Sequence, residues 1–126
     1  SGGPGGGFTT PGTRPWLPMA DPAACNVADQ EGDPGSVLEL TRRAIAARTA
    51  SDELAVGPYR SLDSPAGTWA FRRGEGTTVL LNLSDAPATF GDVRGTVTVA
   101  TGPELEGSSI EGALTLPAWS GAVVVT

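Results

Sequence analysis

From Leu54 to the C-terminus, apolar and β-branched residues come in short runs separated by turn-forming residues. Leu54 and Val56 alternate, Tyr59 and Leu62 follow the Gly57-Pro58 break, and Trp69-Ala70-Phe71 leads into Arg72-Arg73-Gly74-Glu75-Gly76. The segment Thr77–Leu83 then returns as β-prone sequence, so Trp69–Leu83 reads as a hairpin closed by a turn with two glycines. Further strands are expected at Thr89–Phe90, Gly95–Ala100, Ala113–Leu116 and Ala122–Val125. Short strands at regular spacing with turn residues between them imply a mainly β fold, an antiparallel β-sandwich or barrel.

The first 52 residues obey a different rule. Ser1–Gly7 is almost all Gly and Pro, and Pro11, Pro15 and Pro18 recur among large apolar residues. Repeated Pro removes backbone donors and blocks a helix, so residues 1–32 are expected to form an irregular arm. Such an arm is ordered only if Phe8, Trp16, Leu17 and Met19 find apolar pockets. A helix is expected at about Pro34–Ala50, with Asp33 as its N-cap, Pro34 at its first position and Val37, Leu38, Ala44 and Ile45 on its apolar stripe. With Leu40 and Ala47 added, that stripe is wide enough for two contact layers. The absence of an initiating Met leads to the expectation that the sequence is a piece of a longer one.

Composition excludes most chemistries. The chain has 126 residues, net charge −6, no His and a single Cys. An acidic chain without clustered cations is not expected to bind nucleic acid. Arg42-Arg43 and Arg72-Arg73 read as solvated surface. Cys25 has no internal disulfide partner and no His to activate it, so it reads as a small apolar residue in a reducing compartment. Neither a metal site nor a cofactor is expected. Gly2–Gly7 lacks the strand, helix and lysine of a phosphate loop. The acids, among them Asp52, Glu53, Glu75, Asp92 and Glu106, read as surface charge and caps, so no catalytic residue is assigned. Asn82-Leu83-Ser84 is a formal glycosylation acceptor but reads as a strand end. No stretch is long and apolar enough for a membrane helix.

The order of several segments is more specific than any single motif. Gly6-Gly7-Phe8-Thr9-Thr10, Pro15-Trp16-Leu17-Pro18, Asn26–Glu31, Asp33–Leu38 and Ala46-Ala47-Arg48 follow one another. After them come Leu54–Tyr59, Trp69–Arg73, Val79–Ser84 and Leu116–Val124. This order resembles the α-glucosidase and oligo-1,6-glucosidase branch of the α-amylase clan of glycoside hydrolases. The resemblance implies that residues 1–52 are the end of a catalytic (β/α)8 barrel, comprising the arm 1–32 and the barrel's eighth helix at about 34–50. It implies that 53–126 form a C-terminal sandwich of the domain C type, a Greek key.

The resemblance also implies a retaining enzyme whose catalytic carboxylates lie upstream, leaving this chain non-catalytic by itself. The Gly6–Thr10 loop lies near the barrel mouth in that family, which makes Phe8 the one candidate for a position near substrate, although buried packing is the preferred reading. The implied partners are the catalytic barrel of the same enzyme, joined covalently or supplied in trans, and through it an α-glucoside. The implied location is the bacterial cytoplasm. The competing readings are a carbohydrate-binding β-sandwich module, which would need exposed aromatics along one face, and an interaction domain unrelated to sugars. The aromatics are expected mostly at core positions.

Overall fold

A computed structural model describes residues 2–126. Contacts divide the chain into two compact units, one within the first 39 residues and one spanning Leu40–Thr126.

The first unit is held by local polar contacts. A short 3-10 segment at Pro4–Gly7 is compatible only with its sequence, since Gly5, Gly6 and Gly7 all take positive φ. Helix α1 (Val27–Gln30) is capped by Asn26, whose Oδ1 accepts from Asp29 N at 3.2 Å and whose amide donates to Pro22 O at 3.0 Å. Helix α2 (Val37–Ala50) begins three residues later than expected. Asp33 instead closes the preceding turn by accepting from Gly35 N, and the Ser36 hydroxyl takes the capping role by accepting from Glu39 N at 3.2 Å. Ser36 is itself anchored on Gln30 O at 2.8 Å.

The second unit contains α2 from Leu40 onward, helix α3 (Asp52–Val56) and six antiparallel strands. The strands are β1 (Tyr59–Leu62), β2 (Thr68–Arg73), β3 (Thr77–Asn82), β4 (Ala88–Ala100), β5 (Ser109–Leu116) and β6 (Ser120–Val125), arranged in the order β1-β2-β3-β6-β4-β5. The antiparallel β architecture read from the sequence is present. Its layers are the two halves of one sheet. Ala70 and Leu80 come from one half, Phe90, Leu114 and Leu116 from the other, and they meet in a single buried cluster with Val97, Ala122 and Val124. Strands that are not neighbours in the sheet can share a core only if the sheet curls over on itself.

Two local expectations change. Leu54 and Val56 belong to α3, not to a strand: Ser51 caps this helix by accepting from Leu54 N, and Asp52 and Glu53 occupy its first turn. The segments Thr89–Phe90 and Gly95–Ala100 are two parts of one strand, β4, which bends at irregularities between Phe90 and Val93 and between Val97 and Val99. Gly95 permits a close approach there. It has φ +126, and a side chain on it would strike the Val125 carbonyl.

Candidate functional site

The side chains that could serve a function fall into three groups, beginning with the arm. Phe8 is 91% exposed and Trp16 is 92% exposed, and Leu17 and Met19 also face solvent. Burying each such side chain is worth about 1.5–3 kcal/mol, so this unit presents apolar surface that its own residues do not cover. Cys25 is exposed too.

The second group lies on helix α2 and the outer face of the sheet. Leu40, Ala44 and Ala47 recur at helical spacing and share shallow clefts with Val79, Leu81, Val99, Val123 and Val125 of the sheet. No α2 residue is fully buried. One charged contact fixes its orientation: Arg43 Nε donates to Glu106 Oε1 at 2.9 Å, and the same oxygen accepts from Ala100 N at 3.0 Å. A carboxylate that caps a strand-end amide and holds an arginine ties the helix to the end of β4. Arg43 is thus committed to an ion pair, which corrects its reading as solvated surface. Val37 and Ile45 of α2 are exposed, as is Val56 of α3.

The third group is aromatic. Tyr59, Trp69 and Phe71 lie together on the outer face of β1 and β2, with ring centroids 5.3 Å (Tyr59–Phe71) and 5.1 Å (Trp69–Phe71) apart. Trp69 Nε1 donates to the Tyr59 hydroxyl at 3.2 Å. Tyr59 and Trp69 are exposed, and so is Trp119, whose indole donates to Asp85 Oδ1 at 2.9 Å. The expectation that the aromatics are mostly core is therefore corrected: of the three Phe, only Phe90 is buried.

Two polar residues have structural roles that the sequence did not disclose. The Glu53 carboxylate reaches into the β2–β3 turn and accepts from Thr77 Oγ1 at 2.6 Å, Glu75 N at 2.9 Å and Gly76 N at 3.0 Å. The Thr77 hydroxyl and then the Gly76 and Glu75 amides hold its pKa below the ordinary carboxylate value. Asn82 is fully buried. Its amide donates to the carbonyls of Ala86, Leu116 and Pro117, and its oxygen accepts from Ser84 N and Oγ. A side chain bonded on every edge and closed off from solvent cannot accept a glycan, so the formal Asn-Leu-Ser match is a structural cross-link between strands. Among the described residues, no three His, Cys, Asp or Glu groups converge as metal ligands, and no helix is long and apolar enough to cross a membrane.

No family model matches the chain. It is 40% identical over 92 residues to a probable alpha-glucosidase of Rhizobium meliloti (strain 1021), a match covering 68% of this chain and 16% of that protein. Among solved structures it is similar to trehalulose synthase MutB from Pseudomonas mesoacidophila MX-45, with 26% identity over 89% of this chain and 22% of that one at TM-score 0.76. A Tris-bound variant of the same synthase matches at 28% identity over 95% of this chain and 23% of that one, with TM-score 0.80. The chain thus spans about a sixth of the curated relative and under a quarter of the solved structures. Along nearly its whole length, it matches the C-terminal part of α-glucosidase-type enzymes of the α-amylase family.

Proposed function

We propose that this chain is the C-terminal part of a retaining glycoside hydrolase acting on α-glucosides, and that it supports a catalytic barrel without contributing catalytic residues. In this reading residues 1–52 complete the barrel, through the arm 1–32 and the helix near 34–50, while 53–126 form domain C. The observation that carries it is the uncovered apolar surface: Phe8, Trp16 and Leu17 on the arm and Val37 and Ile45 on the helix have no cover within their own unit. Relatives more than four times as long supply the mass that could cover it. Phe8 is assigned to the barrel mouth, on the substrate side. Retention needs two carboxylates held about 5–5.5 Å apart across a cleft. Glu53 and Glu106 are both engaged within the chain, by backbone amides, Thr77 and Arg43.

The test uses p-nitrophenyl α-glucoside, maltose and sucrose. The chain by itself should turn over none of them. A barrel segment encoded upstream should be insoluble or inactive alone and gain activity when this chain is joined to it or co-expressed. Turnover that tracks with the purified chain, or full activity of a barrel ending before residue 1, would overturn the proposal. The carbohydrate-binding alternative has less support. Tyr59 and Trp69 are tilted against Phe71 by 36° and 47°, a faceted cluster in place of a flat row for a polysaccharide.

A further inference from the structure

The curled sheet has two unlike ends. At one, Asn82 plugs the core with hydrogen bonds to three carbonyls. At the other, the inner face opens into a cleft of about 300 Å3. Leu62, Ala70, Leu80 and Phe90 form its apolar floor, and five charged side chains line it: Arg72, Arg94, Asp63, Glu75 and Asp92. Arg72 follows Ala70 by two residues on β2 and so points to the same inner face. Asp92 sits at the bend of β4 in a left-handed conformation, φ 54. An irregularity of that kind re-aims side chains.

None of these five side chains forms a hydrogen bond or ion pair with another described residue. Arg72 Nε is shielded from solvent and still meets no acceptor. Hydrogen-bonding groups that line a cleft and meet no partner within the chain are free to serve a ligand that enters it. We infer that this cleft binds an uncharged, polyhydroxylated ring, a single sugar unit.

The chemistry of the lining selects that class. An anion would face three carboxylates against two guanidinium groups. An apolar ligand would strip water from charged groups and return no hydrogen bonds. A hydroxyl both donates to a carboxylate and accepts from a guanidinium, so a ring carrying several of them can satisfy both kinds of lining group at once. The apolar floor suits the C–H face of such a ring. The volume is at the small end for ligand sites, which fits one ring and excludes a chain. The site lies wholly within the second unit and does not depend on the barrel reading, so either can fail without the other.

The experiment is a titration of the isotope-labelled full chain with glucose, maltose and citrate, followed by NMR. Glucose should give saturable shifts of the Arg72, Asp92 and Arg94 amides and of the Arg72 Nε–H, with Kd on the order of 1–10 mM. Asp92→Asn and Arg94→Gln are both exposed-rim changes that preserve the fold, and Asn tolerates the left-handed backbone. Each should weaken glucose binding about tenfold. Arg72→Met should abolish binding. Absence of saturation by about 50 mM glucose, shifts confined to other surfaces, tighter binding of citrate, or unchanged affinity in both rim variants would overturn the assignment and leave the cleft as a solvated gap.

Discussion

The inner face of the curled sheet and the N-terminal arm with helix α2 treat their apolar residues in opposite ways. Leu116, Val97 and Val124 are essentially without solvent contact, packed against residues far away in sequence. Phe8, Trp16 and Ile45 are larger on average and are mostly solvated. Hydrophobic residues cost little to leave exposed singly, but several on one short segment indicate a surface meant to be covered. The difference teaches where the chain is self-sufficient. The sheet closes its own core, while the arm and the helix leave large apolar side chains in solvent.

The comparison can be broken most directly in the core. Leu116→Ala should destabilise the chain by about 2–5 kcal/mol, read as a fall in the midpoint of urea unfolding with little change in slope. A loss under about 1 kcal/mol would mean that the sheet core is not the seat of stability. Asn82→Ala should come next, at about 2–3 kcal/mol, because it strands the Ala86, Leu116 and Pro117 carbonyls at a closed end of the sheet. Gly95→Ala should cost about 1–3 kcal/mol through backbone strain against Val125.

A smaller effect sharpens the link between α3 and the β2–β3 turn. The Glu53 pKa is depressed in the folded state, so its contribution is fully present above the unfolded value near 4.5 and is lost as pH falls through the lower folded value. Glu53→Gln should lower thermal stability at neutral pH and flatten its decline below pH 4.5. If the decline in acid is as steep in the variant as in the parent, the contact does not govern acid stability.

The smallest effect belongs to the exposed face. Ile45→Ser should change the stability of the isolated chain by less than about 0.5 kcal/mol, yet reduce the yield of active enzyme when the barrel segment is co-expressed. A large loss in the isolated chain would show that Ile45 already packs within it, and the contrast between the two regions would fall.

Much of the β unit was legible from local pattern. The Trp69–Leu83 hairpin announces itself through alternation and the Gly74-Glu75-Gly76 turn, and it is found as β2 and β3 in matching register from Arg73–Thr77 to Thr68–Asn82. The Leu54–Val56 error came from reading alternation over too few residues. Ser51 followed by Asp52 and Glu53 was the available signal of a capped helix start. The bend in β4 looked like a loop because Gly91-Asp92 interrupts the apolar pattern, whereas pairing with β5 resumes at Val93 and carries the strand past it. Placing the aromatics in the core failed for a different reason. Trp, Tyr and Phe suit a strand whichever way it faces, and alternation does not say which face is inside.

What the sequence by itself determined, then, are the properties settled within a few residues: the Pro-rich arm, the helix, the hairpin, the antiparallel class and the absence of histidine chemistry. Segment order added the family resemblance. The tertiary structure alone decided which face of the sheet is buried, that Asn82 is a cross-link, that Glu106 receives Arg43 from 63 residues away, and that five charges gather around one open end. Those features depend on contacts between residues distant in the chain. Such contacts are set by how the sheet curls, a property of all six strands together that no local run of residues encodes.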